Sequence, residues 1–215
     1  MLGFSDFSDK TKKKPHPIGI RAVLPNQIWH ADVTIFRSLD NTKIYIYLLM
    51  DNFSGYILAW RASLELSANI RWETLLEAYK YSSYNKSDPI RLIVDGGPEN
   101  KPIPLDPSIP INKLIAQQDI IFSNSMIEAA NKQLKYRYLF TQNLIDFDDT
   151  VRYLGKSIPE FNDIRPYGAL KGLTPDEVYH KGIIPGNTPF DDRLKHAIED
   201  RFIQNKLNLC PICRD

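Results

Sequence analysis

The chain shows two hydrophobic periods, and each predicts a different kind of element. In the first half, three segments rich in aromatic and β-branched residues are separated by short turns. Such segments are typical of strands, and short connections between consecutive strands favour an antiparallel meander. The predicted strands are 27–37, 42–51 and 56–62, followed by a short apolar run at 90–94 that predicts a buried strand.

Most other segments repeat apolar residues three and four positions apart, which is typical of amphipathic helices. Residues 66–81 show this period and contain Ser67, a side chain suited to capping a helix. The other predicted elements are helices at 111–118, 147–161 and 190–204, a short strand at 119–122, and a helix that starts at Thr174 and Pro175.

The stretch 123–140 predicts a helix with two chemically distinct arcs, given about 100° of rotation per residue. One arc is apolar and can pack onto a core, while the other presents a carboxylate together with amines. The apolar arc holds Ile127, Ala130, Leu134 and Tyr138, and the polar arc holds Glu128, Asn131, Lys132 and Lys135. An ordinary surface helix with a Glu–Lys pair has the same pattern, so this helix alone does not decide the function.

Composition narrows the classes of protein that need to be considered. The 215 residues are 43% hydrophobic, which fits one large domain or one domain with appendages. No apolar run reaches the roughly 18 residues of a membrane span, and no secretory signal pattern opens the chain. Only two cysteines occur, which argues against a disulfide-stapled secreted domain.

The overall charge does not indicate a protein that binds nucleic acid through its net charge. The net charge is +1, but the 123–140 helix allows a local basic face beside an acidic pocket.

Basic residues also cluster in the polar segment 1–20, which we interpret as a tail; a linker from an upstream domain has the same composition. Cys210 and Cys213 are spaced as half of a zinc site, yet no second pair is present, so a free tail is the preferred interpretation.

Two aspartates occupy positions that call for an explanation. Asp32 lies in the middle of a predicted strand, where aspartate is disfavoured. Asp95 ends a buried strand just before a glycine turn, which suits either a ligand at the mouth of a site or an ordinary turn residue. Asp51 ends the second strand, and we predict that it is a turn residue and not a ligand.

If Asp32, Asp95 and Glu128 converge, their charges must be neutralised. Two carboxylates 4 Å apart repel by ~4 kcal/mol at an effective dielectric constant of 20. Mg²⁺ prefers oxygen ligands, binds through a few carboxylates and completes its shell with phosphate oxygens. Lys132 and Lys135 would then face a phosphodiester backbone beside the metal.

Three ordered motifs resemble the catalytic cores of DDE-type transposases and integrases, the superfamily of bacterial insertion-sequence transposases and retroviral integrases. They are WHADVT around Asp32, VDGGPEN around Asp95, and NSMIEAANKQLK around Glu128, with Lys135 seven residues after the glutamate. The segment 161–179 also resembles the region after the catalytic helix in insertion-sequence transposases. The similarity covers 22–181, which we predict to be the catalytic core between a tail at 1–21 and an extension at 182–215.

The resemblance implies an α/β, ribonuclease H-like fold: a five-stranded mixed sheet, its first three strands antiparallel, flanked by helices. It implies that Asp32, Asp95 and Glu128 are both catalytic residues and ligands of Mg²⁺ or Mn²⁺, with two ions. The implied activity is cleavage of mobile-element DNA ends and strand transfer into target DNA by a homo-oligomer, without a membrane, in a bacterial cytoplasm and associated with the nucleoid. The residues implied to contact DNA are Asn131, Lys132, Lys135 and Arg137.

Two features depart from the family pattern. The 32 residues between Asp95 and Glu128 are slightly fewer than usual, and the loop before the glutamate is shortened to 123–126. Asp119 is the nearest acidic alternative to Glu128, but it starts a predicted strand and lacks a lysine face.

No helix-turn-helix segment is visible, so we expect recognition of DNA ends to lie upstream. Two alternatives stay open: a ribonuclease H-like nuclease or resolvase, which would share the fold and the metals, and an inactive transposase kept as a DNA-binding module.

Overall fold

The computed structural model of the protein describes residues 20–82, 88–97, 109–116 and 124–186, and positions 196, 199, 200 and 203. The strands are β1 (Ile28–Arg37), β2 (Lys43–Asp51), β3 (Ile57–Ser63), β4 (Ile90–Val94) and β5 (Ile111–Ile115). The α-helices are α1 (Ala68–Ser82), α2 (Ser125–Arg137), α3 (Phe147–Pro159) and α4 (Pro175–Tyr179). Short 3₁₀ turns at Leu139–Thr141 and Gly168–Leu170 and a π turn at Glu160–Ile164 complete the described elements.

The five strands form one mixed sheet in the order β3-β2-β1-β4-β5. The β1–β2 and β2–β3 pairs are antiparallel, whereas β4 runs parallel to β1 and β5 runs parallel to β4. This confirms the predicted five-stranded mixed sheet with an antiparallel first half. The short turns of the meander explain the antiparallel part, and the longer crossover through α1 allows β4 to return parallel.

One predicted element is wrong. Residues 111–118 were expected to form a helix, but Ile111–Ile115 is the fifth strand and pairs with β4 from Ile90↔Ile111 to Val94↔Ile115. A short apolar run fits either element, and isoleucine favours a strand wherever a neighbouring strand offers backbone partners. The strand predicted at 119–122, most of the helix predicted at 190–204, Cys210 and Cys213 lie outside the described residues.

Helices cover both faces of the sheet, and successive side chains of β1 alternate between two buried clusters. Trp29 and Ala31 join the cluster that packs against α1. Phe36 joins the cluster that packs against α2 and α3. The face on which a β1 residue lies therefore follows from its position in the sequence, because side chains alternate with a period of two.

The apolar arc predicted for 123–140 faces the core. Ile127, Ala130, Leu134 and Tyr138 are all buried in the cluster beneath α2 and α3. The α-helix ends at Arg137 and continues into the 3₁₀ turn instead of reaching residue 140. Within the described ranges, none of the helices has both the length and the apolar character needed to cross a bilayer.

Helix starts follow the capping chemistry in the sequence. Ser67 precedes α1, and its hydroxyl accepts a hydrogen bond from Asn69 N at 3.2 Å. Thr174 caps α4 in a reciprocal capping box with Glu177, as the Thr-Pro start predicted. Caps of this kind are worth about 1 kcal/mol each and fix where a helix leaves its preceding loop.

Candidate active site

The parallel pairing of β1 and β4 sets two of the three candidate acids side by side. The register pairs Ile28 with Arg91 and His30 with Ile93. The same offset, carried two residues past the last paired position, leads from Asp32 to Asp95, which directly follows β4. The charge of Asp95 acts on the Asp32 carboxyl, so the two acids lie near each other. Neither residue lies near the other in the sequence, so the parallel register is what brings them together.

The Asp32 carboxylate is largely buried and fixed at both oxygens. Val33 N donates to Oδ1 at 2.9 Å, and Asn131 Nδ2 donates to Oδ2 at 2.6 Å. The pKa of Asp32 is raised to about 6, chiefly by burial and also by the charge of Asp95, against the lowering effects of the Val33 amide, Arg71 and Asn131. Ionising this carboxyl therefore costs free energy in the metal-free protein, as expected where acids are gathered to bind a cation.

Helix α2 runs alongside β1 in the same direction. Near its start, Asn124 Nδ2 donates to the carbonyl of Ala31 at 3.2 Å. One residue further along β1, Asp32 accepts the bond from Asn131 described above. Beyond the end of α2, the ring of Phe140 lies 6.0 Å from the ring of Phe36. Successive contacts from residues 124–140 therefore follow β1 in the order of its sequence.

Glu128 lies one turn before Asn131, about 4.5 Å along the helix axis. Its side chain is exposed. In the parts of the chain that the structure describes, no three His, Cys, Asp or Glu side chains stand close enough to hold one metal ion. The juxtaposition of Asp32 and Asp95 nevertheless fits Mg²⁺, which binds through one or two carboxylates and adds substrate phosphate oxygens.

The four residues expected to contact DNA have different environments. Lys132 and Arg137 are exposed, whereas Lys135 is half-buried. Burial lowers the pKa of Lys135, and the nearby charge of Asp32 opposes that shift. Asn131 is buried, 6% exposed, and directs its amide at Asp32. Asn131 therefore holds one of the acids in place, Lys135 lies near the same acid, and Lys132 and Arg137 are exposed on the same helix.

His30 is fixed by two amides and anchors the start of α2. Asn52 Nδ2 donates to Nε2 at 2.8 Å, so the ring hydrogen lies on Nδ1, which faces Asn124 Oδ1 at 2.5 Å. Burial lowers the pKa of His30, which favours this neutral form. These contacts are those of a structural histidine.

Asp51 also has the role predicted for it. Its Oδ2 accepts hydrogen bonds from the amide and the hydroxyl of Ser54, at 2.8 and 2.7 Å, and its Oδ1 accepts from Asn26 N at 2.7 Å. These bonds close the turn after β2 and tie the segment before β1 to it. All its described contacts are therefore those of a turn residue.

Sequence reasoning missed the buried arginine beneath the site. Arg71 is only 2% exposed, lies 5.8 Å from the ring of Tyr47, and lowers the pKa of Asp32. Its position four residues before Leu75 and seven before Ala78 sets it on the buried stripe of α1. A cation on an apolar stripe is the signal that could have identified it, since arginine is rarely buried without a role.

The comparisons with known proteins agree with this geometry. An integrase core domain family model matches residues 22–101, a segment that contains Asp32 and Asp95 and ends before Glu128. The solved structure of the HTLV-2 integrase catalytic core domain in complex with magnesium has a TM-score of 0.55 at 20% identity, covering 74% of this chain and 100% of that one. Residues 22–101 match the integrase core domain, and the chain shares the fold of an integrase catalytic core. The predicted resemblance to integrase cores is thereby confirmed, and the family match contains the motifs around Asp32 and Asp95.

A second integrase structure extends the match. The integrase of a simian T-cell lymphotropic virus intasome, in complex with the PP2A regulatory subunit B56 gamma, has a TM-score of 0.61 at 20% identity. That match covers 84% of this chain and 65% of the integrase chain. No curated protein sequence matches significantly.

Proposed function

We propose that this protein is the catalytic core of a DNA transposase or integrase, which cleaves DNA ends and joins them to a target with divalent-metal assistance. The observation that carries the proposal is the nearness of Asp32, on β1, to Asp95, directly after the parallel strand β4, with α2 fixed beside Asp32 through Asn131. A largely buried carboxylate whose ionisation is unfavourable, with a second carboxylate beside it, is suited to a cation and poorly suited to a purely structural site.

Asp32, Asp95 and Glu128 would hold Mg²⁺ or Mn²⁺, with two ions as the expected number. When bound, such ions favour the deprotonated form of an attacking water or DNA 3′-hydroxyl and stabilise the leaving oxygen. One phosphorus–oxygen bond forms as another breaks, and no protein–DNA covalent bond is needed. Asn131 and the Val33 amide keep both oxygens of Asp32 oriented throughout.

The basic residues of α2 would hold the DNA against the acids. The charge of Asp32 acts on Lys135, while Lys132 and Arg137 are exposed on the same helix. Lysine and arginine amines contact phosphates without reading sequence, so these residues would set the register of the DNA backbone and not the choice of end. Recognition of particular ends would come from outside the core.

Substituting Glu128→Gln tests the assignment. We expect loss of DNA nicking and joining with Mg²⁺ or Mn²⁺, with no change in thermal unfolding, because an exposed amide replaces an exposed carboxylate of the same size. Glu160→Gln, an exposed acid in the π turn after α3, is the matched control and should keep wild-type activity. If Glu128→Gln joins DNA at the wild-type rate, the assignment of Glu128 is wrong.

The same assay separates the competing activities. A linear DNA end, a branched junction and an RNA–DNA hybrid are compared at equal concentration with wild-type protein. Preference for the linear end, with joining to a second duplex, supports the proposal. Cleavage confined to junctions or hybrids would instead identify a resolvase or a ribonuclease. In parallel, Mn²⁺ soaked into crystals should give anomalous density between Asp32, Asp95 and Glu128.

A further inference from the structure

Three aromatic rings form a ladder from the core to the surface at the end of α2. The innermost ring, Phe36 on β1, is buried at 5% exposure. Phe140 packs against it with ring centroids 6.0 Å apart, and Tyr136 meets Phe140 edge to face at 5.4 Å. Tyr136 is 62% exposed and Phe140 is 55% exposed. The buried ring thus fixes the position of two rings that leave much of their surface to solvent.

The ladder lies on the surface that carries the candidate site. Glu128, Lys132 and Tyr136 are spaced four residues apart on α2, so they form one row along the helix, about 12 Å from end to end. Phe36 follows Asp32 by four residues on the same face of β1, about 13 Å further along the strand. Both the helix and the strand therefore lead from the acids to the rings.

The surface around the rings is cationic. Helix α2, which carries Tyr136, has one acidic residue, Glu128. It has three basic residues: Lys132, Lys135 and Arg137. Such a surface disfavours a purely apolar partner and suits an anionic one that also offers flat apolar faces. Nucleobases on a phosphate backbone have that combination, and their faces are accessible only where the strands are unpaired.

We propose that Tyr136 and Phe140 form a stacking surface for unpaired bases of the DNA strand whose backbone Lys132 and Arg137 hold beside the acids. This inference rests on the proposed function, which supplies the DNA end. Stacking on aromatic rings tolerates any base, because every base has a π face. The surface would thus hold the frayed or single-stranded portion of a DNA end while its terminal phosphodiester lies at the acids.

The experiment measures DNA binding by the full chain without metal, so that chemistry does not intervene. Two probes are compared: a blunt duplex, and the same duplex with a short single-stranded extension containing 2-aminopurine. Wild-type protein should quench the 2-aminopurine fluorescence and bind the extended duplex more tightly. Tyr136→Leu should weaken binding to the extended duplex about tenfold and remove the quenching, with no change for the blunt duplex.

Matched variants separate stacking from other effects. Tyr136→Phe keeps the ring and should retain both binding and quenching. Tyr81→Leu removes a tyrosine of comparable exposure, 46%, from α1 on the opposite side of the sheet and should change neither. Phe140→Leu should reproduce the effect of Tyr136→Leu, and thermal unfolding of each variant reports any loss of packing against Phe36.

Each other outcome counts against the stacking surface. An unchanged affinity of Tyr136→Leu for the extended duplex overturns it, and if Lys135→Ala still weakens DNA binding, the proposed function survives. An equal loss for blunt and extended DNA means that the rings contact duplex DNA. Loss of self-association in Tyr136→Leu, with DNA binding intact, means that the rings contact a second copy. Failure of wild-type protein to bind either DNA overturns the proposed function as well.

Discussion

Asp32 is an acid whose folded environment opposes its ionised form. Its pKa is raised from 3.8 to about 6, chiefly by burial and also by the charge of Asp95. In the unfolded chain the carboxyl ionises near its ordinary pKa, so the folded state binds this proton more tightly. The stabilising contribution is therefore complete below about pH 4 and is lost as pH rises through about 6.

Replacing this carboxyl by a neutral amide should remove the penalty. Asp32→Asn keeps an oxygen that can accept the bond from Asn131, so we expect the metal-free variant to gain stability over wild type at about pH 8 but not at about pH 4. The gain should be about 2 kcal/mol, less than the full pKa shift implies because the site is partly open to solvent. Urea unfolding at both pH values measures it.

The control for Asp32→Asn is Asp148→Asn, which changes an exposed acid in the first turn of α3. Its stability relative to wild type should change little between the two pH values. If the difference between Asp32→Asn and wild type is the same at both pH values, the ionised form of Asp32 is not the source of the cost.

Lys135 is expected to contribute to DNA binding and not to the fold. Lys135→Ala should weaken binding of a blunt duplex and make it less dependent on salt, reducing the slope of log K against log salt by about one unit. Fluorescence anisotropy over a range of salt concentrations measures both quantities. Lys156→Ala, an exposed lysine on α3, serves as the control and should leave the slope unchanged.

The pairing of β1 with α2 depends on a buried polar network. His30 accepts from Asn52 and faces Asn124, which also donates to the Ala31 carbonyl just before α2 begins. Since Asn124 O accepts the amide hydrogen bond of Glu128 at 3.3 Å, the network fixes the turn that presents the glutamate. His30 is thus a positioning residue for Glu128, although it does not reach the acids itself.

This network has a pH dependence opposite to that of Asp32. Burial lowers the pKa of His30, so its contribution to stability is complete above about pH 6.5 and is lost as pH falls towards the folded-state value. We expect His30→Gln, which can donate and accept but does not titrate, to lose less stability than wild type between about pH 7.5 and 5.5. Urea unfolding measures this change.

An equal loss of stability in His30→Gln and wild type over that pH range would contradict a buried neutral histidine. His180 offers the matched control, because it is exposed and bonded through Nδ1 to Asp176. His180→Gln should lose as much stability as wild type over that pH range, because His30 is still present.

The elements that could be predicted are those whose sequence pattern and tertiary role agree. The α2 stripe of Ile127, Ala130, Leu134 and Tyr138 is buried as expected, and Thr174 caps α4 as expected. The fifth strand was missed because pairing with the free edge of β4 decides between helix and strand there, and residues 111–118 do not encode that edge locally.

In the candidate site, too, some features could be predicted from the sequence and others could not. Asp32 and Asp95 could be selected because an acid within or at the end of an apolar strand contradicts its local surroundings. The bond from Asn131 to Asp32 could not be predicted, because it depends on how closely α2 approaches β1. The burial of Arg71 was equally hidden, although its place on the apolar stripe of α1 pointed to it.

The C-terminal boundary of the core depends on α4, which closes the α1 side of the molecule. Val178 is fully buried, and Tyr179 stacks on Tyr56 with ring centroids 5.0 Å apart. Tyr179 also donates its hydroxyl hydrogen to Asn26 Oδ1 at 2.9 Å, so the last described helix contacts the segment just before β1. Contacts between such distant parts of the chain support a folding unit that extends to about residue 181, as proposed for the core.

Truncation tests this boundary. A chain ending at residue 186 should unfold in one cooperative transition close to that of the full chain, because α4 and its cap remain. A chain ending at residue 172 should lose several degrees of melting temperature or fail to fold, since it exposes Tyr56 and removes Val178 from the core. Circular dichroism measures both transitions.

Tyr179→Ala within the longer chain should give an intermediate loss of melting temperature, because it removes the stacked ring and keeps the helix. If the two truncated chains melt alike, α4 contributes nothing to the core, and the boundary lies before residue 172.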